Sequence, residues 1–135
     1  MNKIIPLTAL LFCSPLSAKE ATLTIPHILG KQALSERVSI ELYATTKGAL
    51  NYIVHIDGRD RGGSSLRTKT GDEAVFYWDK TKSTLWHITK KSMHQCDYSE
   101  PNRASSSGYS TSLAQAKKLK APVEVMDIIK KFEDQ

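Results

Sequence analysis

The feature that most constrains the fold is a pair of strongly β-forming runs in the middle of the chain. Residues 73–78 and 83–89 are rich in β-branched and aromatic side chains, and the polar residues 79–82 separate them. This arrangement is typical of a β-hairpin. The two runs contain both tryptophans of the chain, and such large side chains bury extensive area. The sequence therefore predicts that this hairpin is the centre of the fold and is partly covered on both sides.

Alternation along the two runs assigns their side chains to faces. Phe76 and Trp78 share one face of the first run, while Val75 and Tyr77 lie on the other. Leu85 of the second run is assigned to the face of Val75 and Tyr77. Apolar residues on both faces predict that neither side of the hairpin is open to water.

Alternating segments on the N-terminal side of the hairpin predict further strands. Residues 38–45 and 50–57 alternate apolar with polar side chains, and the glycine-rich stretch 57–63 predicts a turn. Residues 65–70 predict a polar edge strand. Because consecutive strands usually pair, residues 38–89 are expected to form a five-stranded antiparallel meander. Two shorter segments add a first strand near the N-terminus, over residues 21–25, and a sixth strand, over residues 93–98.

The C-terminal third changes character. The serine-rich stretch 99–112 predicts a long loop, and residues 113–120 predict a helix. The tail after Pro122 fits either a short strand or an amphipathic helix, and the spacing of its apolar residues favours the helix. The predicted fold class is α+β, a five- to six-stranded antiparallel meander sheet with a C-terminal helical segment packed on one face.

The N-terminus has the pattern of an export signal. A positive start at Lys3 precedes an apolar run of about ten residues, against the roughly 20 that a membrane span needs, and small residues follow up to Ala18. Residues 1–18 are therefore predicted to be a signal peptide. Residues 19–135 are predicted to be a single small exported domain, periplasmic or secreted, with no membrane span.

Export also defines the charge and the cysteine content of the mature chain. The leader contains Lys3, Cys13 and no acidic residue, so its removal lowers the net charge from +5 to +4 and leaves Cys96 alone. A lone cysteine is a buried thiol, an intermolecular bridge or a reactive group. The mild positive charge occurs without a nucleic-acid-binding motif, so no nucleic-acid partner is predicted.

No pattern in the chain indicates catalysis, a metal or a cofactor. His87, His94 and Cys96 are close in sequence, and His55 lies near Asp57, but neither set supplies the three or four ligands that zinc requires. The neighbours of Cys96 would not activate a thiolate. The predictions are no catalytic residue, no metal ligand and no cofactor.

Two surface features indicate a protein-binding role. Arginines gathered near the predicted 57–63 turn suit the gripping of carboxylates or phosphates, and one tyrosine in the predicted serine-rich loop is suited to insertion into a partner, although it would equally cap the core. The predicted partner-binding residues are Asp57, Arg59, Asp60, Arg61, Arg67 and Tyr109.

Small size, export and the lack of a catalytic pattern favour a non-enzymatic binding protein. The leading hypothesis is an inhibitor or immunity protein that blocks a cell-envelope effector or hydrolase by protein–protein contact. The alternative is a subunit of a secreted or surface assembly, such as a toxin binding component. In that case Cys96 or an open sheet edge would join it to other subunits, including its own copies.

Overall fold

A computed structural model describes residues 22–25, 30–45, 50–66 and 74–135. The predicted leader and Arg67 lie outside these ranges.

The described strands form two antiparallel sheets. The strands Thr22–Ile25 (β1), Ala74–Asp79 (β6), Thr84–Thr89 (β7), Ser92–Glu100 (β8) and Arg103–Ser110 (β9) form a five-stranded sheet in the spatial order β9-β8-β7-β6-β1. The strands Gly30–Ala33 (β2), Val38–Ala44 (β3), Leu50–Ile56 (β4) and Arg59–Leu66 (β5) form a four-stranded sheet in the order β2-β3-β4-β5.

The antiparallel pairing and the C-terminal helices agree with the prediction, but the single meander sheet is wrong. The strand β6 pairs with β1 instead of β5, so the chain leaves one sheet and starts another between β5 and β6. The reason lies in the central hairpin, where all six residues of β6 and five of the six in β7 are buried. A sheet that is apolar on both faces needs a covering layer on each face. The predicted single meander with helices on one face would leave its other face uncovered.

The four-stranded sheet covers one face of the hairpin. Side chains of β3 and β4 pack there against side chains of β6, β7 and β8. The buried residues of this inter-sheet core are Leu34, Val38, Ile40, Leu42, Tyr52, Val54, Ile56, Ala74, Phe76, Trp78, Leu85, Cys96 and Tyr98. The thiol of Cys96, the cysteine in the described part of the chain, is therefore part of the core, as expected for a buried cysteine.

Two helices cover the other face. The helix Leu113–Lys118 (α1) begins after Ser112, whose Oγ accepts a hydrogen bond from the Gln115 backbone N–H at 3.0 Å. The helix Val123–Glu133 (α2) follows Pro122 and confirms the helical interpretation of the tail. Its buried residues join the hairpin and α1 in the helix-side core, which consists of Val75, Tyr77, Trp86, Ile88, Met93, Ala116, Val125, Ile129 and Phe132. Among the described residues, no helix has the length and apolarity that crossing a membrane requires.

The face assigned to Leu85 is corrected by the register of the hairpin. Asp79 pairs with Thr84, and Trp78 therefore lies opposite Leu85. Directly opposite residues share a face, so Leu85 belongs to the inter-sheet core with Trp78 and not to the face of Tyr77. The register depends on the turn, where the Asp79 carboxylate accepts hydrogen bonds from the backbone N–H groups of Thr81 and Lys82. Alternation alone does not determine the length of such a turn.

The predicted loop over residues 99–112 is also wrong. It is the end of β8, a short turn at Pro101 and Asn102, and the strand β9. Serine and glycine have low strand propensity, and five of the eight residues of β9 are of these two types. Pairing with β8 overrides that propensity, since six consecutive residues from Ser105 to Ser110 are in unbroken register with β8.

Candidate functional site

The arginines singled out from the sequence lie mostly on a strand, because the predicted 57–63 turn is shorter than expected. Only Asp57 and Gly58 form the turn, with φ angles of 53° and 79°. Two consecutive residues with positive φ are the mark of the type I′ hairpin that Asp-Gly favours. Ile56 pairs with Arg59 directly across it. Arg59 and Arg61 are thereby held by the sheet.

The carboxylate of Asp57 is already engaged. It accepts hydrogen bonds from Arg37 Nε at 2.8 Å and Arg37 Nη2 at 2.7 Å. These bonds lower the pKa of Asp57 below its usual value. The pair joins the turn before β3 to the turn before β5, which gives Asp57 a structural contact that competes with binding a partner.

A bulge formed by Arg61 and Gly62 interrupts β5. Arg61 and Gly62 together lie opposite Val54, and Gly62 has a φ of 93°. The Asp60 Oδ1 accepts a hydrogen bond from the Gly62 backbone N–H at 2.7 Å and so stabilises the bulge. Bulges increase the local twist of a strand and redirect its side chains.

The turn between β8 and β9 brings a third arginine to the same place. Glu100 pairs with Arg103 across this turn, and Arg103 Nη2 lies 3.8 Å from Glu100 Oε2. Both side chains are largely exposed, so this ion pair is weak and leaves the guanidinium available to a ligand.

Arg61 connects the two sheets at this point. Its Nη2 donates a hydrogen bond to the Glu100 carbonyl oxygen at 2.7 Å and a longer one to the Arg103 carbonyl oxygen at 3.4 Å. Its guanidinium carbon lies 5.4 Å from the centre of the Tyr98 ring, within cation–π range. Arg61 therefore fixes the start of β5 against the β8–β9 turn.

The result is a shallow cleft of about 250 Å³, which we call the arginine cleft. It is lined by Arg59, Asp60, Arg61, Pro101, Asn102, Arg103 and Ala104. Three guanidinium groups and one carboxylate give the lining a net charge of +2. Arg59 is exposed and forms no ion pair within the described part of the chain. Paired guanidinium groups of this kind bind carboxylates or phosphates through charge-assisted hydrogen bonds.

The structure thus brings together three of the predicted binding residues, Arg59, Asp60 and Arg61. Tyr109 lies elsewhere: it is half-buried on β9 and packs against the helix-side core, in the core-capping role left open by the sequence. Arg103 was not identified from the sequence, because its position beside Arg59 depends on the pairing of β8 with β9 and on the contact between the two sheets. The available signal was Pro101-Asn102, a pair typical of turns, between an alternating strand and the serine-rich run.

A histidine pair lies between the sheets, away from the arginine cleft. His87 pairs with His94 across β7 and β8, and their rings stack at 5.7 Å between centres. His87 also stacks on Phe76 at 4.7 Å. Burial, followed by repulsion from His94, lowers the pKa of His87 from its usual 6.5 to about 4. The arrangement keeps His87 neutral at ordinary pH.

These histidines do not form a metal or nucleophile site with Cys96 in the described part of the chain. No group of three or more His, Cys, Asp or Glu side chains there is placed to hold a metal ion. The Cys96 thiol interacts with Ser106, and burial raises the pKa of this thiol. An activated cysteine needs the opposite shift.

Replacing Arg61 tests its role as the link between the sheets. Arg61→Lys removes the guanidinium bonds to two carbonyl oxygens, and we expect it to lower the free energy of unfolding by about 1 kcal/mol. Arg59→Lys is the matched control, because Arg59 lines the same cleft without such bonds, and its effect should stay within about 0.5 kcal/mol. Urea unfolding of both variants provides the comparison, and equal losses would show that Arg61 does not link the sheets.

Comparison of the chain with protein-family models, with curated proteins and with solved structures gives no match.

Proposed function

We propose that this chain is an exported, non-enzymatic binding protein that blocks a cell-envelope effector or hydrolase through the arginine cleft. The observation that carries the proposal is the convergence of Arg59 and Arg103, from the two different sheets, on one exposed surface. Arg61 holds that surface in place through its hydrogen bond to the Glu100 carbonyl oxygen. A rigid surface whose other guanidinium groups remain available for hydrogen bonding loses little conformational entropy on binding.

The chemistry of the cleft defines the partner. Guanidinium groups at the rim of a protein surface recognise carboxylates, and they accelerate association with an acidic surface. The partner proposed is therefore an effector or hydrolase whose contact surface carries exposed Asp or Glu side chains. Occupying such a surface blocks the partner without any chemical step, so the function requires no cofactor.

The burial of Cys96 argues against the alternative in which a disulfide joins this chain into an assembly. Cys96 is only 7% exposed, and the raised pKa of its thiol reduces the thiolate that forms disulfides. Association through this residue would require the inter-sheet core to open.

The test begins with the tagged mature chain expressed in the envelope of its own host. The proposal predicts that one envelope protein co-purifies in stoichiometric amount. Arg59→Glu should weaken its binding roughly tenfold to a hundredfold, because reversal replaces an attraction with a repulsion at the contact. Raising the salt concentration should weaken wild-type binding in the same direction.

Lys90→Glu is the matched control for charge. Lys90 is exposed in the turn before β8, at the opposite end of that strand from Glu100, and it undergoes the same change of two charge units. Binding that falls equally in both variants would show a response to net charge alone. Binding that survives Arg59→Glu unchanged would contradict the proposal.

A further inference from the structure

Four of the described strands lie at the edges of the two sheets, and three of these four carry features that oppose pairing with another chain. The strands β1 and β2 have only four residues each, and β2 also carries the exposed Lys31. The strand β5 is interrupted by its bulge at Gly62. Short length, lysine and bulges are the usual means by which edges avoid adding strands.

The strand β9 has an irregular register with β8 between Arg103 and Ser105, and the rest of the strand carries none of these protections. From residue 105 to residue 110 it is in unbroken register with β8, and among the described residues no strand pairs with its other side. This stretch contains no lysine and no proline, and its side chains are four serines, one glycine and Tyr109. Tyr109 is half-buried and the other five residues are exposed. Small side chains allow another backbone to approach closely.

The charge at one end of β9 specifies what would pair there. The arginine cleft lies at the N-terminal end of this strand, with Arg103 as the first residue of β9 and Arg61 donating to its carbonyl oxygen. The middle of the strand is uncharged. A strand with acidic residues at one end and neutral residues along the rest would match both parts.

We infer that β9 is a docking edge, onto which an extended segment of the partner adds as a sixth strand with its acidic end in the arginine cleft. The inference rests on the proposed function and specifies how the partner binds. Backbone hydrogen bonds along residues 105–110 supply affinity, and the arginines fix the register. All the described strand pairs of this sheet are antiparallel. An antiparallel addition places the C-terminal end of the partner segment beside Arg103.

Amide hydrogen exchange of the full mature chain tests this inference with synthetic peptides. One peptide alternates Thr and Val and ends in two Glu residues, and the second has the same composition with the two Glu residues first. We expect the first peptide to slow exchange in residues 105–110 at lower concentration than the second. Methylating alternate backbone nitrogens of the first peptide should abolish the effect, because strand addition needs its N–H groups. Arg103→Glu should remove the preference between the two peptides.

Four results would overturn the inference. In the first, neither peptide slows exchange at millimolar concentration, and in the second, the methylated peptide acts as strongly as its parent. In the third, the preference between the two peptides persists in Arg103→Glu, and in the fourth, β9 becomes protected without peptide as the protein concentration rises. The last result would identify a second copy of this chain as the occupant.

Failure of the inference and failure of the proposed function give different results. If the co-purified envelope protein responds to Arg59→Glu while β9 stays unprotected in that complex, only the docking edge is wrong. If β9 is protected by the peptide but no envelope protein depends on Arg59, the docking edge stands and the proposed function fails.

Discussion

Replacing Gly63 by alanine is expected to lower the free energy of unfolding by about 3 kcal/mol, near the upper end for overpacking of a folded interior. A Cβ at this position would overlap the Tyr52 carbonyl oxygen, and it would lie 2.8 Å from the Tyr52 carbonyl carbon and 2.9 Å from the Ile53 Cα. All three atoms belong to the backbone of β4, so none can move without disrupting the pairing of β4 with β5. Urea unfolding of residues 19–135, with and without the substitution, measures the loss.

Gly58→Asn is the control for this prediction. Gly58 has a positive φ, which Gly63 does not, but a Cβ at Gly58 meets no atom within 4 Å. Asparagine is well tolerated at such a position in a type I′ turn. Its expected loss is below about 1 kcal/mol. Equal losses in the two variants would show that close contact with β4 is not what requires glycine at position 63.

Acidification is expected to destabilise the chain through His87. In the unfolded chain this histidine has its usual pKa of 6.5, and in the folded chain its pKa is about 4. Between these values the unfolded state binds more protons, so the free energy of unfolding falls as the pH falls. The full loss from this group is about 3 kcal/mol. It is complete only once the pH is below the folded pKa of about 4, and the contribution is fully present well above pH 6.5.

The variant His87→Phe should remove this part of the pH dependence. Phenylalanine keeps the stack on Phe76 and removes the buried Nε2, which has no hydrogen-bond partner. Urea unfolding near neutral pH and near pH 4.5 should give closer values for this variant than for the wild type. The control His55→Gln changes a histidine on the four-stranded sheet and should retain the acid loss due to His87. The same acid loss in His87→Phe would contradict the assignment.

The sequence predicts the strands better than their arrangement. Alternation in residues 38–45 and 50–57 and the two β-forming runs of the central hairpin correspond to β3, β4, β6 and β7. The same runs are apolar on both faces, which implies a layer on each side, but the number of sheets depends on whether β6 pairs with β5 or with β1. That choice involves contacts distant in sequence, and local patterns do not encode it.

The candidate site was partly predictable for the same reason. Arg59 and Arg61 were identified because they lie beside the Asp-Gly turn, a local signal. Arg103 was missed because β9 is a strand only through its pairing with β8, against the propensity of its serines. Tyr109 was placed on a loop for that reason, and the structure packs it against the helix-side core.

The most direct test of the arginine cleft is the affinity of the co-purified partner for the double variant Arg59→Glu/Arg103→Glu. Circular dichroism of the variant, compared with the wild type, shows whether the fold is retained. The proposed function predicts a loss larger than that of Arg59→Glu alone, because it places both guanidinium groups against the same acidic surface. It also predicts a weaker dependence of the remaining binding on salt. A double variant that is folded and binds the partner as tightly as the wild type would contradict the arginine cleft as the binding site.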